Sequence, residues 1–128
     1  MESHVRLIFT SKHMRPDQIS DAIGIEGDEI WSAGDKRPKT ELVEIENGLI
    51  AKSKLDKCLD LETHIESMMK NFSSLEEKFT NFSVMPDCEI QLSCVIYSNG
   101  APPLNFERHI TRWIGIIGAS LDIDVYIV

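Results

Sequence analysis

The sequence predicts an α+β fold: a four- or five-stranded mixed or antiparallel sheet covered by helices, in the order β-α-β-β-α-α-β-α-β. A ferredoxin-like sandwich is the nearest simple architecture. Three observations carry this. First, Phe106, Ile110, Trp113, Ile114 and Ile117 recur at the spacing of one helical face. Second, the period then changes to two, with Leu121, Ile123, Val125 and Ile127 pointing one way and Asp122, Asp124 and Tyr126 the other. Third, stretches of period two near the start and middle of the chain are interleaved with helical stripes.

Taken in order, Val5, Leu7 and Phe9 alternate with His4, Arg6, Ile8 and Thr10, which gives a first strand over Val5–Thr10. Pro16 and Asp17 suit the first turn of a short helix with Ile19, Ala22 and Ile23 inside, stopped by Gly24. Residues 25–40 read as a long loop, and loops of that length in small domains are often functional. Asn47-Gly48, the pair best suited to a tight hairpin turn, predicts two antiparallel strands over Glu41–Glu46 and Leu49–Lys54. From Leu61 to Phe82 a stripe of alternating four- and three-residue spacings predicts helix, broken near Asn71-Phe72-Ser73-Ser74 into pieces at about 57–71 and 74–82. Ser74 with Glu77 has capping-box spacing. Ile90, Leu92, Cys94 and Ile96 then alternate as a strand. Pro102 and Pro103 lead into the last helix, with Asn105 as its expected cap and Gly118 as its stop.

The length of 128 residues suits one domain, 1–128, and 42% hydrophobic residues suffice for a core without metal or disulfide staples. Neither a signal-peptide pattern nor a membrane-length apolar run is visible, so a cytoplasmic location is expected. Cys58, Cys88 and Cys94 form an odd set without C-x-x-C spacing. On a common strand, Cys88 and Cys94 would stand about 20 Å apart, too far to bridge. Reduced, mostly buried thiols are the expectation. A balance of 21 acidic against 13 basic residues gives a net charge of −8, which disfavours nucleic acid and permits a basic protein partner.

Together these features resemble a bacterial family known as domain of unknown function 4279. The matching features are the Val5–Thr10 strand, the helix ending Ile23-Gly24-Ile25, Trp31 followed by Gly34-Asp35, Gly48-Leu49 opening a strand, and the ending from Gly118 to Tyr126. The resemblance implies a small α/β domain and transfers no activity or site residue.

Motifs for chemistry are sparse. His4, His13, His64 and His109 stand singly; His64 and His109 flank helical stripes and read as boundary residues, so no metal site is expected. Cys94 falls on the inward register of its strand, where a thiol is inert. No nucleophile elbow or phosphate-binding glycine loop is present. Asp122 and Asp124 share a strand face, either as a polar edge, as partners for Arg108 or Arg112, or as an acid/base or cation pair. No catalytic residue and no cofactor is expected.

The most distinctive feature is acidic. Nine acidic residues against three basic ones lie between Asp17 and Glu46. Glu26, Asp28, Glu29 and Asp35 surround Trp31, and Glu41, Glu44 and Glu46 follow. Trp31 reads either as an exposed anchor for a partner or as a cover folded back on the sheet. These eight residues are the candidate partner-binding face. The functional expectation is an acidic binding protein, monomeric or weakly dimeric, of the immunity type: one that neutralises a basic toxin domain, such as a nuclease, by charge complementarity. The alternative is a small-molecule or enzymatic domain with a pocket between sheet and helices, using Tyr97, Tyr126 and the Asp122/Asp124 pair.

Overall fold

The structure, a computed structural model, describes residues 1–128. Five strands form one sheet: β1 (Glu2–Ser11), β2 (Glu29–Trp31), β3 (Asn47–Lys52), β4 (Cys88–Ser98) and β5 (Ala119–Ile127). Four helices accompany them: α1 (Pro16–Ile23), α2 (Leu61–Asn71), α3 (Glu76–Ser83) and α4 (Arg108–Ile116). The spatial order is β2-β3-β1-β4-β5. Within the first four strands all neighbours are antiparallel, which is the ferredoxin-like arrangement. Helix α4 then returns the chain so that β5 joins β4 in parallel, making the sheet mixed.

Alternation along β1 explains the layering. Val5, Leu7 and Phe9 are buried, while His4, Arg6 and Ile8 lie on the other face. The buried set joins Ile19 and Ile23 of α1, Leu61, Ile65 and Met68 of α2, Phe79 and Phe82 of α3, and Ile110, Trp113 and Ile114 of α4 in one core cluster. All four helices therefore cover one face of the sheet and leave the other open. At the centre, the Phe9 ring meets Phe79 and Phe82 edge-on, with centroids 5.1 and 5.9 Å away.

The helix boundaries follow local chemistry. Arg15 N–H donates to the Gln18 side chain ahead of Pro16, and Gly24 N–H closes α1 on the Ser20 carbonyl. The 61–82 stripe does break into two helices, but α2 begins at Leu61 rather than 57. Its start is set by Asp60, whose Oδ1 accepts from both the backbone N–H and the hydroxyl of Thr63. A single 3-10 turn, Ser73–Leu75, fills the break, and the Ser74–Glu77 capping box does not form: α3 starts at Glu76 without a side-chain cap. Asn105 likewise does not cap α4, whose N-cap is Glu107. Its side chain instead reaches Glu107 and Glu62. Gly118 ends the last helical turn with φ 71°, and a Cβ there would collide with the Ser83 side chain.

One expectation is corrected. Asn47-Gly48 is not a hairpin turn; it opens β3, and the partner of β3 on the outer side is β2, drawn from the stretch expected to be loop. Both residues have other work. Asn47 Oδ1 accepts from Ala33 N–H at 2.7 Å and its Nδ2 donates to the Met14 carbonyl at 2.8 Å, tying three segments together. Gly48 lies beneath the Trp31 ring, where any Cβ would collide with the indole. The turn chemistry moves to an arm between β2 and β3. There Gly34 N–H bonds the Glu44 carbonyl, Glu44 N–H bonds Asp35 and Arg37 N–H bonds Leu42. Lys36 bridges Val43, and the tip turns at Lys39 with φ 60°.

Phe79 is fully buried against β1. Replacing it with alanine is expected to cost about 3–5 kcal/mol, read in urea denaturation by circular dichroism as a lower midpoint at unchanged slope.

Candidate functional site

Two regions outside the core gather polar and charged side chains, and they adjoin at Lys52. The first is the expected acidic face, and the structure redistributes its charges. Asp28 pairs with Lys54 and also accepts from Lys52 N–H; Glu29 pairs with Lys52 at 3.2 Å, Glu41 with Lys36 at 3.2 Å, and Glu44 with Arg37 at 3.0 Å. The Asp28 carboxyl is held below its ordinary range, first by the Lys52 backbone N–H and then by Lys54. Asp35 accepts from Ser32 N–H at 2.8 Å. Glu26 and Glu46 form no ion pair. Trp31 is half-buried, its ring lying across Gly48 on the open face. What the arm does expose is apolar: Leu42 at 61%, Val43 at 52% and Ile45 at 78%, with Ile30 of β2 at 63%.

The second region was not visible as a site in the sequence. Strand register brings His4 and Arg6 of β1, Lys52 of β3 and Tyr97 of β4 around one cavity of 320 Å³. The chain after β3 closes its rim, because Ser53 N–H bonds the Val5 carbonyl and Ser3 N–H bonds the Lys57 carbonyl. That detour adds Lys57 and, from α2, His64 to the lining. No acidic side chain lines this cavity, in a protein of net charge −8. Glu2 stands beside it, its carboxylate 3.0 Å from Lys57 Nζ and 3.5 Å from His4 Nε2. These bonds, Lys57 first, hold the Glu2 carboxyl below its ordinary range. Arg6 pairs with no carboxylate and faces Lys52 directly across the strands, a like-charge juxtaposition that costs stability. The only sequence signal was the polar register of β1, which fixes His4 and Arg6 on one face; the cations it meets come from segments some 46 to 51 residues away.

His64 is buried, not a boundary residue: it is 2% exposed. Burial pushes its imidazole below the ordinary value of 6.5, against a smaller opposing pull from the nearby Leu59 carbonyl. Its Nδ1 lies 2.6 Å from Ser53 Oγ. Ser53 Oγ also accepts from Leu55 N–H. The His64 Nε2, like Ser3 Oγ, is buried without a hydrogen-bond partner.

The remaining candidates separate. Tyr97 and Tyr126 stack on each other at 5.2 Å and 20°, but on the open face, so the expected pocket between sheet and helices does not use them. Asp122 and Asp124 lie on that same face of the edge strand and pair with neither Arg108 nor Arg112, which belong to α4. Cys94 is buried on β4, its thiol pushed up to about 12 by burial, as an inert core residue requires. Cys58 is exposed, with its pKa raised by the neighbouring Asp56. No three His, Cys, Asp or Glu side chains converge as a metal site would need. No helix is long and apolar enough to cross a membrane.

This geometry, a ferredoxin-like sheet extended by a parallel strand, belongs to the small α+β domains with one face open. The chain is a member of the domain-of-unknown-function family DUF4279, whose family model matches residues 1–128. No curated protein and no solved structure matches it.

Two outcomes are expected from these contacts. Gly48→Ala should lose about 1–3 kcal/mol through the collision with Trp31, and a second change, Trp31→Leu, should cancel most of that loss in a double-mutant cycle. Because the folded pKa of His64 is depressed, the unfolded chain takes up a proton below pH 6.5 that the folded chain refuses. Its contribution is complete above that pH and is lost as the pH falls. Melting temperature should therefore drop on acidification below pH 6.5, and His64→Gln should flatten that slope.

Proposed function

We propose that this protein is a binding domain that docks a basic protein partner through the arm between β2 and β3. The supporting observation is the exposure of Leu42, Val43 and Ile45 on a projecting hairpin whose flanks are acidic. Exposed apolar side chains gathered on one arm are the usual mark of a protein contact. Residues 26–46 carry seven acidic against three basic side chains, so the rim remains negative although four of its carboxylates are locally paired. Apolar contacts then supply the affinity, and the negative rim steers a basic partner and selects for it. Trp31 acts indirectly, holding the arm to the sheet rather than touching the partner.

The more specific form of this reading is an immunity-type inhibitor. Its partner would be a basic toxin domain, such as a nuclease, whose phosphate-binding cleft the acidic rim covers. Glu26, Asp35 and Glu46, which are free of ion pairs, are then the carboxylates available to it.

The test is capture from the host-cell lysate by the tagged protein, run beside Val43→Asp and Ile45→Asp variants of confirmed fold. A stoichiometric basic partner is expected with the unmodified protein, reduced at least tenfold by either variant and weakened as salt rises. Co-expression that rescues cells from that partner's toxicity supports the inhibitor form. Equal capture by the arm variants, or a partner that is not basic, removes the arm from the account.

A further inference from the structure

The cavity at the start of β1 lies apart from the arm between β2 and β3. We propose that it is a binding site for a small organic anion whose phosphate or carboxylate head sits between Arg6, Lys52 and Lys57. Charge is the first argument. In a chain with eight more acidic than basic residues, a cavity lined by Arg6, Lys52, Lys57 and His4 and by no carboxylate is a local reversal of sign. Such a concave positive region concentrates anions against the field of the whole molecule.

Arg6 has no ion-pair partner, and the register sets it opposite Lys52, which is held by Glu29 at 3.2 Å. An anion beside Arg6 gains a charge-assisted hydrogen bond there and competes with Glu29 for Lys52. At the rim the protein already places a carboxylate: Glu2 bridges the Lys57 ammonium and the His4 ring. Glu2 is thus an internal stand-in for the head group at the mouth, and it leaves Arg6 unpaired.

The second argument is unspent hydrogen bonding. Ser3 Oγ and His64 Nε2 lie in residues that line the cavity, both residues at least nine-tenths buried, and neither atom has a partner. A buried polar atom without a partner is costly, so both atoms mark unspent hydrogen-bonding capacity beside the cavity. Size completes the case. At 320 Å³ the cavity holds far more than a single head group, given that a water takes about 30 Å³. Val95 and the Tyr97 ring provide an apolar wall for an organic body.

The test is a titration of isotope-labelled protein with three probes, inorganic phosphate, phenyl phosphate and benzoate, followed by amide chemical shifts. Saturable shifts are expected at His4, Arg6, Lys52, Lys57 and Tyr97, with phenyl phosphate or benzoate binding more tightly than inorganic phosphate. The tighter of those two identifies the head group. Arg6→Gln should weaken the best probe at least tenfold. Lys57→Gln does the same from a loop position if the strand variant folds poorly. Glu2→Gln should tighten binding, because it removes the competing carboxylate, and Lys36→Gln on the arm should change nothing. Absence of saturable shifts at the cavity with all three probes overturns the proposal. So does binding that Arg6→Gln and Lys57→Gln leave unchanged. Neither result bears on the arm.

Discussion

The pairing of β1 on both edges is the constraint from which the rest follows. Six residues of β1 are in register with β3 and ten with β4, both antiparallel, so the strand lies at the middle of the sheet. Every even position is thereby committed to the open face and every odd one to the helices. The inward row Val5, Leu7 and Phe9 collects side chains from the helices, with Phe9 held between the edges of Phe79 and Phe82. The outward row delivers His4 and Arg6 to the cavity. A one-residue slip would exchange the two rows and place an arginine in the core, at a cost no neighbouring group offsets. The core and the positive cavity are thus two consequences of a single register.

Charge in this protein is distributed rather than merely abundant. Lys54, Lys36 and Arg37 are drawn to the acidic side of the molecule, where they neutralise Asp28, Glu41 and Glu44, and Lys52 of the cavity wall reaches Glu29. Of the cavity's other groups, Lys57 and His4 face Glu2, and Arg6 faces no carboxylate. Exposed ion pairs of this kind contribute little stability individually, about 0–1 kcal/mol each. Their larger effect is to decide which charges stay available. A composition of −8 therefore coexists with one positive concavity, which neither net charge nor the linear order of residues foretells.

What was legible in the sequence was periodic. The helix-to-strand switch at Gly118, the alternation in β1 and β4, and the two-piece 61–82 stripe all come from side-chain repetition along one element, which needs no knowledge of neighbours. The inward register of Cys94 was legible for the same reason. The misreadings arose where a residue answers to a distant partner. Asn47-Gly48 has the composition of a turn, yet Asn47 serves Ala33 and Met14, and Gly48 makes room for Trp31. His64 looked like an edge residue because a stripe cannot reveal that residues 53–59 fold over it. The acidic run was read correctly as composition, but which carboxylates are paired depends on lysines up to 26 residues away. The cavity draws on three strands, a loop and α2, so no single window of sequence contains it.

Trp31 and Trp113 occupy opposite layers of the molecule. Trp113, 3% exposed, lies among the helices, whereas Trp31 rests on the open face against Gly48. Since the chain has two tryptophans, each can be kept singly as an intrinsic optical probe. With Trp31 alone, emission follows the seating of the arm and its neighbourhood; with Trp113 alone, it follows the integrity of the helical layer. Loosening of the arm and loss of the core thereby become separable events, observable in one cuvette without an added label.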